Sequence, residues 1–404
     1  MGYAPEKGMT SEMGKRFLAA MVSLLVCVGC MMPVSAEEEG TAEKKTELAV
    51  NAKAAILIEQ ETGTVLFEKN ADEKLEPASV TKVMTMALVL EQVSKGKIKL
   101  DDMVTATARA KEMGGTQINL DDGEQMSVYD LLMAVAVASA NDAAVALGEY
   151  VGGGSEAAFV EMMNQKAKEL HMENTHFENT NGLPAEGHLT TARDIALMSR
   201  FLLSFEQASE FTSTDRYPIR SDTNEYMMRN SNALVREYDG CIGLKTGYTQ
   251  TAGHCLSSAA TRNGMTVIAV VLGESDSKTR FQESKELLDY AFAHYDLYRP
   301  EVTFEQPGEI PVKMGTQGAV AVVPPAEQAA PVVIKKGAEP NLEIKTELEE
   351  SVTAPVEEGA VVGKTVVTLD GKEVGAYEYK AAESVTKRTV WSAIQMIFYR
   401  IFTM

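Results

Sequence analysis

Three short clusters carry side chains that could do chemistry together. The first is Ser79-Val80-Thr81-Lys82, preceded by Pro77 and followed by Val83, Met84, Ala87, Leu88 and Leu90. Pro77 suits the first turn of a helix, and the nearly unbroken apolar run after it predicts a helix buried at a domain centre. A serine and a lysine three residues apart share one face of that helix, so the amine reaches the hydroxyl. Burial lowers a lysine pKa, which would leave Lys82 a neutral amine fit to act as general base on Ser79. The bland alternative is an exposed serine at a helix start beside a surface lysine. The second cluster, Ser139-Ala140-Asn141, follows the apolar run from Leu131 to Ala138 and places a hydroxyl and an amide at a turn between helices. Taken alone it reads as an N-cap. The third, Lys245-Thr246-Gly247, ends a predicted strand and runs on into Tyr248-Thr249. It is either solvent decoration or, with Gly247 letting a ligand approach the backbone, a carboxylate site along a strand edge.

The elements that must hold these clusters are legible in the spacing. Ala54 to Ile58 and Thr64 to Phe67 flank Glu61-Thr62-Gly63, which predicts two strands and a tight turn. Ser127 with Asp130, and Thr191 with Asp194, form capping-box patterns ahead of Leu131 to Ala138 and Ile195 to Leu203, and Asn141-Asp142 opens another helix. Leu244 to Tyr248, His254 to Ala260 and Met265 to Leu272 read as successive strands, closed by a helix from Lys278 to Tyr295. A first domain over 51–297 thus runs strand, helices, strands, helix. From 298 to 382 the texture changes. Seven of the thirteen prolines fall in 301–380 among short β-branched runs, and Asp370-Gly371 between Thr365 to Leu369 and Val374 to Tyr379 marks a hairpin. This predicts a small all-β domain, and with no His or Cys in it a spacer or docking role is the default.

Composition bounds the rest. The chain has 404 residues, 45% apolar and 24% charged, which excludes a disordered or fibrous protein. Its 58 acidic against 38 basic side chains give a charge of −20, and no concentrated basic stripe offsets it, so no nucleic-acid partner is expected. Lys15-Arg16, the apolar run from Phe17 to Met32 and Val34-Ser35-Ala36 before Glu37 have the order of a secretory signal peptide over 1–36, with an uncleaved anchor as the alternative. An acidic lead, 37–50, follows. Cleavage would leave Cys241 and Cys255, fourteen apart about a predicted hairpin, open to reading as a disulfide or as two buried thiols. Within 383–404, Val390, Trp391, Ile394, Ile397, Phe398, Ile401 and Phe402 recur at helical spacing behind Lys387-Arg388. That stretch is too short to span a bilayer and suits a helix lying in the membrane surface or one docked on protein.

The order of the three clusters resembles that of the penicillin-binding proteins and serine β-lactamases. The closer resemblance is to the low-molecular-mass D-alanyl-D-alanine carboxypeptidases of the S11 peptidase type. It rests on Pro77-Ala78-Ser79-Val80-Thr81-Lys82-Val83-Met84-Thr85, Ser139-Ala140-Asn141-Asp142-Ala143, Asn179-Thr180-Asn181-Gly182-Leu183-Pro184 and Gly243-Leu244-Lys245-Thr246-Gly247-Tyr248-Thr249. Ala140 stands where the family often has glycine. The resemblance implies an α+β fold: a penicillin-binding-protein-like domain with an antiparallel sheet and a helical cluster, then a small all-β domain and an amphipathic helix.

It implies a mechanism as well. Ser79 would attack the carbonyl between the terminal D-alanines of a cell-wall stem peptide with Lys82 as base. Ser139 would relay a proton to the leaving amine, and Asn141 would hold Lys82 and the substrate amide. Lys245 and Thr246 would receive the terminal carboxylate, and the N–H groups of Ser79 and Tyr248 would form the oxyanion hole. Arg280 matches a family cation near that carboxylate, or else is a surface helix cation. β-Lactams would inhibit covalently, and neither cofactor nor metal is implied; the five histidines show no HExxH spacing. A class A β-lactamase would need a glutamate-held water, for which Glu178 reads better as loop surface. An acceptor-dependent transpeptidase shares the same donor chemistry. A penicillin-binding sensor with little turnover is the rival from another class.

Overall fold

The computed structural model describes residues 48–220 and 225–403. The proposed leader, 1–36, and the lead as far as Glu47 lie outside the described residues. Within the expected lead, Leu48 and Val50 already pack, because both side chains cover one face of the main sheet.

That sheet has five antiparallel strands. Its members are β1 (Ala54–Glu59), β2 (Val65–Lys69), β3 (Cys241–Thr249), β4 (Gly253–Arg262) and β5 (Met265–Glu274), in the order β2-β1-β5-β4-β3. Ile56 faces Val270 and Leu57 faces Ala269, so the first strand of the chain lies beside the last of the sheet. Alternation along each strand sends side chains to two separate cores. Ile56, Ile58, Leu244, Ala259, Ile268 and Val270 join the helical cluster on one face. Leu57, Leu256, Val267, Ala269 and Val271 meet Leu287, Leu288 and Ala291 on the other.

The helical cluster is built around α1 (Lys82–Ser94), whose residues from Lys82 to Leu90 are all buried, as the apolar run predicts. A short 3-10 turn, Ala78–Thr81, leads into it. Next come α2 (Val128–Met133), α3 (Asn141–Val151) and α4 (Ala192–Leu203). Ser127 Oγ accepts from the Asp130 N–H and Thr191 Oγ1 from the Asp194 N–H, the caps expected from sequence. The second core is closed by α5 (Ser277–His294), started by Asp276 Oδ1 accepting from the N–H groups of Lys278 and Thr279 at 2.9 Å.

The later residues form a six-stranded sheet of β6 (Glu309–Lys313), β7 (Ala319–Val323), β8 (Leu342–Leu348), β9 (Val352–Thr353), β10 (Val361–Leu369) and β11 (Lys372–Ala381), ordered β8-β10-β11-β7-β6-β9. Asp370-Gly371 turns β10 into β11, as expected. The chain is thus α+β, with a helix-and-sheet region followed by an all-β one. A helix, α6 (Val390–Thr403), follows, with Val390, Trp391, Phe398, Ile401 and Phe402 exposed. Among the described residues no helix is long and apolar enough to cross a membrane.

Candidate active site

Ser79 sits in the 3-10 turn, where Pro77 caps the start and Ala78 takes a left-handed φ of 47°. The turn presents the serine beside the first residue of α1. Lys82 Nζ lies 2.9 Å from Ser79 Oγ, 2.7 Å from Asn141 Oδ1 and 2.7 Å from the Asn181 carbonyl oxygen, so a neutral amine there donates to the last two and accepts from the serine hydroxyl. The amine is fully buried, and none of these three partners is a carboxylate. Desolvation therefore holds Lys82 well below the ordinary lysine range, the nearby Lys245 charge adds to that, and Asp142 opposes it weakly. A neutral amine bonded to a serine hydroxyl is the arrangement a general base needs.

Asn141 begins α3, and its Nδ2 donates to the Gly114 carbonyl at 2.6 Å, which turns its oxygen toward Lys82. The Asn179–Pro184 segment supplies the third partner, the Asn181 carbonyl. It is held by Thr85 Oγ1 donating to the Thr180 carbonyl at 2.6 Å and by Asn179 Oδ1 accepting from the Gly182 N–H at 2.7 Å.

The edge strand β3 runs beside the serine turn. A Cβ on Gly247 would lie 2.8 Å from the Pro77 carbonyl oxygen and 3.1 Å from Ser79 N, so only glycine allows the approach. Lys245 is 1% exposed, and its Nζ donates to the Thr246 carbonyl at 3.1 Å. Burial first, then the Arg280 charge, brings Lys245 down to about 7. Arg280 is itself buried: Nη1 donates to the carbonyls of Gly247 and Cys255 at 3.0 and 3.2 Å, while Nε has no partner. Burial lowers it only to about 10, so it keeps its charge at neutral pH. The surface-cation reading of Arg280 is thereby replaced, because the start of α5 aims its first turn back at β3 and β4. Two buried cations whose partners are carbonyls and a hydroxyl make a place for an anion. Tyr248, by contrast, is exposed, with its ring stacked on His254 at 4.3 Å between centroids.

Ser139 is buried, in a left-handed conformation with φ of 64°, after the helix from α2 loosens into a π turn over Ala134–Ala138. No cap bond forms from the α3 N-cap, so the N-cap reading of this cluster does not hold. Direct hydrogen bonds join Ser79, Lys82 and Asn141, whereas Ser139 stands two residues ahead of Asn141 in the chain. Two contributors escape sequence reasoning. Asn181 acts through a backbone carbonyl, which any residue type would offer. Ser231 bonds Thr246 Oγ1 at 2.8 Å while its N–H donates to the Val137 carbonyl, so it ties the π turn ahead of the second cluster to the third. Cys241 and Cys255 are free: Cys241 opposes Ala260 and Cys255 opposes Gly247. Glu178 lies on the surface beside His176.

Comparison with known proteins agrees with this geometry. The family described as D-alanyl-D-alanine carboxypeptidase, peptidase S11, matches residues 39–276, and that described as the penicillin-binding protein 5 C-terminal domain matches residues 297–387. The D-alanyl-D-alanine carboxypeptidase DacF of Bacillus subtilis is 38% identical over 376 residues, covering 92% of this chain and 95% of its own. The crystal structure of penicillin binding protein 5 from Haemophilus influenzae superposes with a TM-score of 0.72 at 31% identity, covering 84% of this chain and 98% of that one. Penicillin-binding protein D2 from Listeria monocytogenes, solved in its ampicillin-bound form, gives 0.55 at 32% identity over 61% of this chain and 99% of that one. With the lysine-serine pair, the buried cations and these likenesses in agreement, the chain belongs to the serine-type D-alanyl-D-alanine carboxypeptidase family of penicillin-binding proteins.

Proposed function

We propose that the chain removes the terminal D-alanine from peptidoglycan stem peptides ending in D-Ala-D-Ala, with Ser79 as nucleophile and Lys82 as its base. The observation that carries this is the Lys82 amine, fully buried, with no carboxylate among its hydrogen-bond partners and 2.9 Å from the Ser79 hydroxyl. The amine takes the hydroxyl proton as Oγ bonds to the carbonyl carbon, and the N–H groups of Ser79 and Tyr248 receive the oxyanion. Ser139 passes a proton to the nitrogen as the C–N bond breaks and D-alanine leaves. Water then cleaves the ester and frees Ser79. Asn141 orients Lys82 and the substrate amide, Gly247 lets the peptide lie against β3, and Lys245, Thr246 and Arg280 hold the terminal carboxylate. β-Lactams acylate the same serine, as the ampicillin-bound relative suggests.

The reading includes domain limits at 51–297, 298–382 and 383–404, export by the leader over 1–36, and work at the outer face of the cytoplasmic membrane, in the cell-wall compartment. The exposed apolar side of α6, with Trp391, supports a peripheral attachment there. Deleting 386–404 is expected to move the protein from the membrane to the soluble fraction; unchanged sedimentation would contradict the attachment. For the activity, purified enzyme and Ser79→Ala are given a diacyl-Lys-D-Ala-D-Ala peptide with no amine acceptor. D-Alanine release by the wild type alone is expected. Release only once an amine is added would make the chain a transpeptidase, and penicillin labelling without release under either condition would make it a sensor.

A further inference from the structure

A polar chain reaches the serine turn from the loop that follows Asn179–Pro184. The Glu178 N–H donates to His188 Nδ1 at 3.0 Å, which leaves the proton of the neutral ring on Nε2. His188 Nε2 lies 2.8 Å from Thr81 Oγ1, and Thr81 Oγ1 donates to the Ala78 carbonyl at 2.9 Å. All three bonds point the same way. Both side chains are sealed from solvent, His188 at 3% and Thr81 at 0% exposure, and the Phe177 ring packs edge-on against the imidazole at 5.9 Å. Burial holds His188 down at about 4, so it stays neutral where the lysine base works.

The chain ends on a peptide group that matters. The Ala78 carbonyl belongs to the peptide plane whose other end is the Ser79 N–H. Ala78 has the left-handed φ of 47°, a conformation that an alanine keeps only when its surroundings hold it there. Gly182 presses on the same carbonyl: a Cβ there would stand 1.9 Å from the Ala78 oxygen and 2.8 Å from Thr81 Oγ1. A hydrogen bond to the carbonyl end of a peptide fixes its plane and strengthens the N–H at the other end as a donor.

We infer that His188, through Thr81, is a positioning residue that sets the orientation and donor strength of the Ser79 N–H toward the oxyanion. The inference rests on the acyl-enzyme reading above, since it assigns that N–H a transition-state role. It concerns preorganisation, because neither side chain need touch the substrate.

The test uses the full chain carrying His188→Ala, His188→Gln, Thr81→Val or Thr81→Ser. Two readouts are taken with benzylpenicillin: the acylation rate constant apart from the initial binding constant, and the infrared stretch of the acyl-enzyme ester carbonyl. His188→Ala and Thr81→Val are expected to slow acylation about tenfold, the scale of one buried hydrogen bond, with initial binding unchanged. Both should shift the ester carbonyl to higher frequency, since a weaker donor polarises it less. His188→Gln and Thr81→Ser, which keep a donor in place, should restore both readouts to near wild type. An ester carbonyl at the wild-type frequency in His188→Ala would overturn the inference, as would a loss that the conservative variants share. If His188→Ala does not fold, Thr81→Val decides alone. A wild type that is not acylated at Ser79 refutes the parent reading instead, so the two failures are distinguishable.

Discussion

The region over 48–298 and the region over 309–381 are both built on sheets, yet they treat buried polarity in opposite ways. Among the described residues the first buries Glu59, Lys82, Asp142, Asp194, Lys245, Glu274, Arg280 and Glu283. Among its described residues the second buries no charged side chain, and its buried hydroxyls, Thr365 and Tyr379, bond each other, with Thr346 a further partner of Thr365. Most of the buried acids have structural work: Asp142 accepts the N–H groups of Ile118 and Leu120, and Glu283 those of Asn51 and Ala52. Lys82, Lys245 and Arg280 do not fit that pattern, because they meet carbonyls, an amide and hydroxyls instead of carboxylates. Desolvating an ion costs several kcal/mol unless a partner offsets it. A fold keeps such groups where a ligand or a reaction supplies what is missing, and the all-β region holds no such place among its described residues.

Disabling the pair at the serine turn should have the largest effect. Ser79→Ala is expected to abolish penicillin acylation, and Lys82→Met to slow it by about 10³-fold or more, with unchanged circular dichroism in both. Wild-type labelling in Ser79→Ala would remove the nucleophile assignment. Next in size is the anion site. Lys245→Ala should lower kcat/KM about a hundredfold for a peptide ending in a free carboxylate and far less for the same peptide ending in an amide. Equal losses on both would place Lys245 elsewhere in the reaction.

The same residue gives a smaller, pH-dependent effect. Lys245 in the free enzyme is drawn down to about 7, so it is charged below that pH and loses its charge above it. For carboxylate substrates kcat/KM should therefore fall as pH rises through about 7, and the amide-ended peptide should lack this alkaline limb. The limb's presence on both peptides would assign it to another group. The smallest effect belongs to the other region: Thr365→Val should shift stability by about 1 kcal/mol and leave D-alanine release unchanged. A large loss of activity there would break the contrast between the regions.

Much of this contrast is legible in sequence, for physical reasons that differ by element. The buried run after Lys82, the capping residues Ser127 and Thr191 and the Asp370-Gly371 turn are local signals, and each acts within a few residues of itself. What escaped was non-local or carried by backbone. Pairing of β1 with β5 joins residues more than two hundred positions apart. The third partner of Lys82 is a carbonyl, and the left-handed turn at Ser139 follows from a π turn in an unremarkable alanine-valine run. Arg280 was ambiguous until the start of α5 fixed its direction, since spacing along a helix does not say which sheet the helix covers.

The central claim is that Ser79 is activated by a Lys82 amine kept neutral by burial. The direct test is the rate of acylation by benzylpenicillin, with the adduct mapped to Ser79, measured across pH. The account predicts an acid limb with its midpoint well below the ordinary lysine value near 10.5 and a rate that is already high at neutral pH. An acylation rate that stays low at neutral pH and rises only near 10.5 would mean that Lys82 remains charged in the free enzyme, and would contradict it.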